Sequence, residues 1–171
     1  MGRSADSFKS AALLLVDIQE RLAPAIPEAP GVVARISALI DAARESRLPI
    51  LASEQYSQGL GPTVAALRDK LAPDEIIEKI HFAAPREAAF ASALQARGIR
   101  HCVVVGMEAH VCVLQSALAL LDKGLAVTLV ADAVASRVDL NRRVALARLG
   151  RAGAVVTDSA ALLDAWTAPA A

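Results

Sequence analysis

Short apolar runs alternate along the chain with stretches whose apolar residues recur every three or four positions. Residues 12–16 (ALLLV) are continuously apolar, the pattern of a strand buried on both faces. Residues 32–45 follow with apolar positions at helical spacing. A second strand is predicted at 48–52 (LPILA) and a third, shorter and more polar, at 74–80 (DEIIEKI). The spacing then predicts a helix over 86–97, closed by Gly98, and a fourth strand at 102–105 (CVVV). A helix over 111–123 stops at Gly124, a fifth strand covers 126–131 (AVTLVA), and a helix over 139–149 stops at Gly150. A sixth strand at 154–157 (AVVT) precedes a last helix, capped by Asp158 or Ser159 and reaching about Trp166.

Strands and helices in alternation predict an α/β domain, a three-layer α/β/α sandwich around a mainly parallel six-stranded sheet of Rossmann-like type. Right-handed crossovers lead to the strand order 3-2-1-4-5-6. In that order the first and fourth strands are neighbours, and the ligand crevice opens between their carboxyl ends. No repeat or linker interrupts the alternation. One domain is expected over 11–167, with a polar tail at 1–10 and a short tail at 168–171.

Three residues fall at that edge of the sheet. Asp17 directly follows the first strand, Lys79 lies at the end of the third, and Cys112 follows the fourth after a turn, at the opening of a helix. A helix N-terminus and a nearby ammonium both lower a thiol pKa, which favours the nucleophilic thiolate. A carboxylate beside the thiol can accept its proton and return it to a leaving group. Each residue alone has a plainer reading: a helix cap for Asp17, a small buried hydrophobe for Cys112, a solvated strand end for Lys79. Cys102, inside CVVV, fits the buried-hydrophobe reading. The convergence of all three on one edge is what favours chemistry.

The segments LLLVDIQE, EKIHF, VVVGMEAHVCVLQSALALLDKG and VTLVADAVASR resemble the isochorismatase-like cysteine hydrolases, over roughly residues 12–166. SEQYSQGLGPTV and GMEAHVCVLQ look most like the isochorismatase-domain-containing proteins within that family. The resemblance implies an Asp17–Lys79–Cys112 triad and a nonproline cis peptide between Met107 and Glu108. It also implies an oxyanion hole formed by the backbone N–H groups of Glu108 and Cys112. Family members that cleave the vinyl ether of isochorismate usually lack the cysteine, so Cys112 points to the thiol-using branch. The nicotinamidase branch carries an Asp and two His metal ligands after the second strand. Residues 53–62 (SEQYSQGLGP) contain no His, so no metal and no cofactor are expected.

Gln19, two residues after Asp17, either orients that carboxylate or caps a turn. Gln19, Tyr56 and Phe82 are candidate substrate contacts, with Gln55 beside Tyr56 in the same loop. Glu108 is a charge next to the nucleophile's turn, with its role open. His110 could serve as a Cys–His base, although neighbouring turn residues usually point apart. Arg142, Arg143, Arg148 and Arg151 cluster on a late helix, where a solvated face is the simpler reading.

The reaction expected is hydrolysis of a small amide, related C–N or ester bond through a thioester. The alternatives are a non-catalytic relative that binds a metabolite or partner, and a redox sensor acting through Cys112. A nucleotide-binding oxidoreductase needs a glycine-rich turn after the first strand, where this chain reads DIQERLAP. The 18 basic residues balance 18 acidic ones, so neither nucleic acid nor an anionic membrane is an expected partner. With two cysteines and no apolar signal segment, a cytoplasmic protein is expected. The resemblance suggests a homo-oligomer acting on a small-molecule substrate.

Overall fold

The computed structural model describes residues 10–167, so the tails expected at 1–10 and 168–171 lie outside it apart from Ser10. Along the chain run β1 (Ala11–Val16), α1 (Ala29–Glu45), β2 (Ile50–Gln55), the short helices α2 (Ser57–Leu60) and α3 (Ala65–Arg68), and β3 (Ile76–Lys79). Then come α4 (Ala88–Ala96), β4 (His101–Met107), α5 (Leu114–Asp122), β5 (Ala126–Ala135), α6 (Asp139–Arg151), β6 (Val155–Thr157) and α7 (Ser159–Thr167). All six strands are parallel and lie in the order β3-β2-β1-β4-β5-β6.

Every residue of β1 is buried because both faces of the sheet are covered. Leu13 and Leu15 share one core with Ile36, Leu39 and Ile40 of α1 and with Leu162 and Trp166 of α7. Leu14 and Val16 point the other way, into a core with Phe90 of α4, Ala117 and Leu120 of α5 and Leu149 of α6. Among the described residues no helix is long and apolar enough to cross a membrane.

Several elements depart from the expected boundaries. Helix α6 runs through Gly150 to Arg151, and the positive φ that the end of the helix needs falls at Gly153, at 107°. Helix α1 starts at Ala29, with Pro30 in its first turn, where a missing N–H is harmless. Strand β2 continues past Ala52 through Ser53, Glu54 and Gln55. These polar residues stay in the sheet because partners meet them there: the Glu54 carboxylate, for instance, accepts both the N–H and the hydroxyl of Thr63, at 2.6 and 2.7 Å. Strand β5 runs on to Ala135, beyond a register irregularity against Val104 and Gly106 of β4.

Gly106 sets how closely β4 approaches β1 at the functional edge. Its φ is 128°, and a Cβ there would lie 2.1 Å from the Val16 carbonyl oxygen. Only glycine permits that approach.

Candidate active site

Asp17 leaves β1 in the left-handed region, with φ 50°. Asp tolerates that region better than most residues, and such backbone clusters at functional sites. Two backbone bonds hold it there: its N–H donates to the Ser53 carbonyl at 3.1 Å and its carbonyl accepts from Gln19 N–H at 3.0 Å. The carboxylate is fully buried. Ser53 donates its hydroxyl to Oδ1 at 2.7 Å, and the Lys79 ammonium lies 2.7 Å from Oδ2.

Lys79 ends β3, in register with Gln55 of β2. Its side chain is buried and reaches past β2 to Asp17. The ammonium also donates to Gln55 Oε1 at 2.6 Å and to the His81 and Phe82 carbonyls at 3.2 and 3.3 Å. An ion pair out of contact with water needs this supply of extra hydrogen bonds to offset its desolvation.

Cys112 lies in a π-helical turn, Ala109–Val113, that leads into α5. The Glu108 carbonyl accepts the Val111 and Val113 N–H groups at 3.1 and 3.2 Å, and the Met107–Glu108 peptide is cis. Asp17 and Lys79 both lie near enough to the Cys112 thiol to shift its proton affinity. Asp17, Lys79 and Cys112 therefore meet in one buried cluster.

The resting charge state of that cluster differs from expectation. Burial, followed by the Asp17 charge and hydrogen bond, pushes the Cys112 thiol up to about 12, against a smaller downward pull from Lys79. The expected thiolate, its proton shared with Asp17, is opposed by desolvation and by the carboxylate, which together outweigh the ammonium. Burial also raises Asp17, although Lys79, Cys112 and Ser53 all favour its ionised form. The Cys102 thiol is likewise pushed up to about 12, by burial alone.

The remaining candidates divide. The Gln19 side chain does not reach Asp17. Its amide donates to the Gln55 and Gly61 carbonyls and accepts the Gln55 N–H, so it ties the loop after β1 to the end of β2. Gln19 has no exposed surface and braces that junction. Tyr56 and Phe82 expose their rings, 56% and 57%, beside residues that hold Lys79. Glu108 is buried and pairs with Arg137 at 2.7 Å, which links the turn that carries Cys112 to the loop after β5. His110 faces away from the thiol: Nδ1 lies 3.0 Å from Ser136 Oγ and Nε2 is 3.4 Å from Asn141 Nδ2. Arg142 and Arg143 both pair with Asp139.

Ser53 was not singled out from the sequence, and Gln55 was not seen as the lysine's partner. Both belong to the polar end of β2. The available signal was that SEQ directly continues a buried strand and lies beside Asp17 in register. Among the described residues no three His, Cys, Asp or Glu side chains come together as a metal site.

Comparison with known proteins gives the family. A model of the isochorismatase domain matches residues 11–161. The chain belongs to the isochorismatase family. Isochorismatase domain-containing protein 1 of Salmo salar is 37% identical over 147 residues, which cover 86% of this chain and 52% of that protein. The chain thus spans about half the length of that relative. A structure of MAR1 ribonuclease from Caenorhabditis elegans superposes with a TM-score of 0.87 at 37% identity, over 93% of this chain and 82% of the other. Two YcaC structures are similar as well. The one from Escherichia coli, described as an octameric hydrolase of unknown specificity, has a TM-score of 0.84 at 27% identity over 91% of this chain and 78% of the other. The one from Pseudomonas aeruginosa, carrying covalent acrylamide, has a TM-score of 0.85 at 28% identity over 91% of this chain and 79% of the other.

Proposed function

We propose that this protein is a cysteine-dependent hydrolase of a small amide, related C–N or ester substrate. The observation that carries the reading is the buried Asp17–Lys79 pair, 2.7 Å apart, beside the Cys112 thiol. As sulfur bonds to the substrate carbonyl carbon, the thiol proton passes to the Asp17 carboxylate. The carbonyl π pair moves onto oxygen, where the backbone N–H groups of Glu108 and Cys112 receive it. Collapse breaks the C–N or C–O bond, and Asp17 returns the proton to the leaving group. Water then attacks the thioester while Asp17 takes its proton, and cleavage of the C–S bond regenerates the thiol. Lys79 stabilises the developing thiolate and the ionised Asp17.

Covalent acrylamide in the Pseudomonas aeruginosa relative supports a reactive group in this family, since acrylamide is an electrophile. The octameric state of the Escherichia coli relative supports a homo-oligomer here. Two free cysteines support a cytoplasmic setting. A redox-sensing role is less well supported, because oxidation by peroxide follows thiolate character and Cys112 rests as the thiol.

The test is a turnover assay of wild type and Cys112→Ala on small amides and esters, with a single-stranded RNA oligonucleotide as an additional arm. Hydrolysis of a small substrate, reduced about 1,000-fold or more in Cys112→Ala, is the expected result. Turnover that survives in Cys112→Ala contradicts the mechanism. Cleavage of RNA alone contradicts the substrate class.

A further inference from the structure

We infer that Glu87 is a positioning residue for Lys79, acting through the loop between them; this rests on the function proposed above. Glu87 occupies the N-cap position of α4, yet its carboxylate makes no capping bond to that helix. It turns back instead, and Oε1 accepts the N–H groups of Ile80 and His81 at 2.9 and 3.0 Å, with His81 Nδ1 at 2.8 Å.

The other side of the same loop faces the ammonium. The carbonyls of His81 and Phe82 are two of the acceptors of Lys79 Nζ. The backbone of 80–82 therefore presents N–H groups to an anion and carbonyl groups to a cation. These are successive peptide units. By fixing the units that carry the Ile80 and His81 N–H groups, the carboxylate sets where the next two carbonyls reach Lys79. The Ile80 carbonyl accepts Nε2–H of Gln55 at 2.9 Å, the residue whose Oε1 accepts the ammonium. The arrangement also explains why Glu87 is held down to about 2: three donors from Ile80 and His81 converge on it. A second tie fixes the far end of the loop. Ser116, in α5, accepts the Ala84 N–H at 2.9 Å and donates to the Phe82 carbonyl at 3.4 Å. The helix that follows Cys112 and the N-terminus of α4 thus hold the loop from opposite ends.

Glu87 touches none of the reacting atoms. Its effect reaches the thiol because Lys79 pairs with Asp17 at 2.7 Å and its charge acts on Cys112. When the loop loses its anion, the two carbonyls no longer have one fixed orientation, and the ammonium loses its set position.

Two readouts test this in the full chain, on Glu87→Ala and Glu87→Gln. The first is the side-chain ammonium signal of Lys79 in a protein labelled with 15N-lysine, where burial and hydrogen bonding slow its proton exchange. The second is the rate of Cys112 alkylation by iodoacetamide, read by mass spectrometry. In Glu87→Ala the ammonium signal is expected to shift and broaden, and alkylation to slow about 10-fold. Glu87→Gln keeps one acceptor without the charge, so a smaller change in the same direction is expected. It carries the test alone if Glu87→Ala does not fold. A wild-type ammonium signal, or a wild-type alkylation rate, in a folded variant overturns the inference. The ammonium readout does not depend on turnover. Failure of the proposed hydrolysis is therefore distinguishable from failure of this positioning role.

Discussion

Cys112 and Cys102 are both neutral thiols pushed up to about 12, yet their surroundings differ. Cys102 is sealed inside β4, and burial is the only cause of its shift. Cys112 keeps a small exposed area and has the Asp17 carboxylate nearby to take its proton. Alkylation at neutral pH should therefore modify Cys112 well before Cys102. Equal labelling, read on the digested protein, contradicts this. Asp17 supplies a pH prediction. It must be ionised to accept the thiol proton, and burial raises its pKa. Activity should thus fall on acidification at a pH above the ordinary carboxylate value of about 4. The titration belongs to the Asp17–Cys112 pair, so the profile reports the two together. An acid limb at the ordinary carboxylate value would show that Asp17 is not the base.

At the scale of elements, the sheet brings the groups together and glycine sets the spacing. Gly106→Ala places a methyl group against the Val16 carbonyl at a φ that side chains rarely adopt. A loss of about 3 kcal/mol or more is expected on urea unfolding, from overpacking and backbone strain combined. A loss below about 1 kcal/mol contradicts the close approach. The buried pair gives a second comparison. Lys79→Met leaves Asp17 without its cation and should cost about 3–5 kcal/mol. Lys70 pairs with Asp41 at the surface, so Lys70→Met should cost under about 1 kcal/mol. The element order was legible because apolar runs and helical spacing alternate cleanly. The end of β2 was not, because Ser53, Glu54 and Gln55 read as loop until their partners from other segments are seen. Glu87 and Ser116 were equally hidden. Their bonds go to backbone groups, and backbone bonding leaves no residue pattern.

Across the whole molecule, the strand order places Asp17 and Cys112 past the carboxyl ends of the neighbouring strands β1 and β4, with Lys79 reaching in from the third strand. That convergence was legible, since each residue follows the carboxyl end of a predicted strand and the order follows from right-handed crossovers. The protonation state was not, because it depends on how deeply the folded chain buries the cluster. The central claim is that substrate becomes attached to the Cys112 sulfur. Its most direct test is mass spectrometry of protein quenched in acid during turnover of an amide or ester substrate. The account predicts an acyl adduct, of the substrate's acyl mass, on the peptide containing Cys112 and absent from Cys112→Ala. An adduct on another residue, or full turnover in Cys112→Ala with no adduct in either protein, would contradict it.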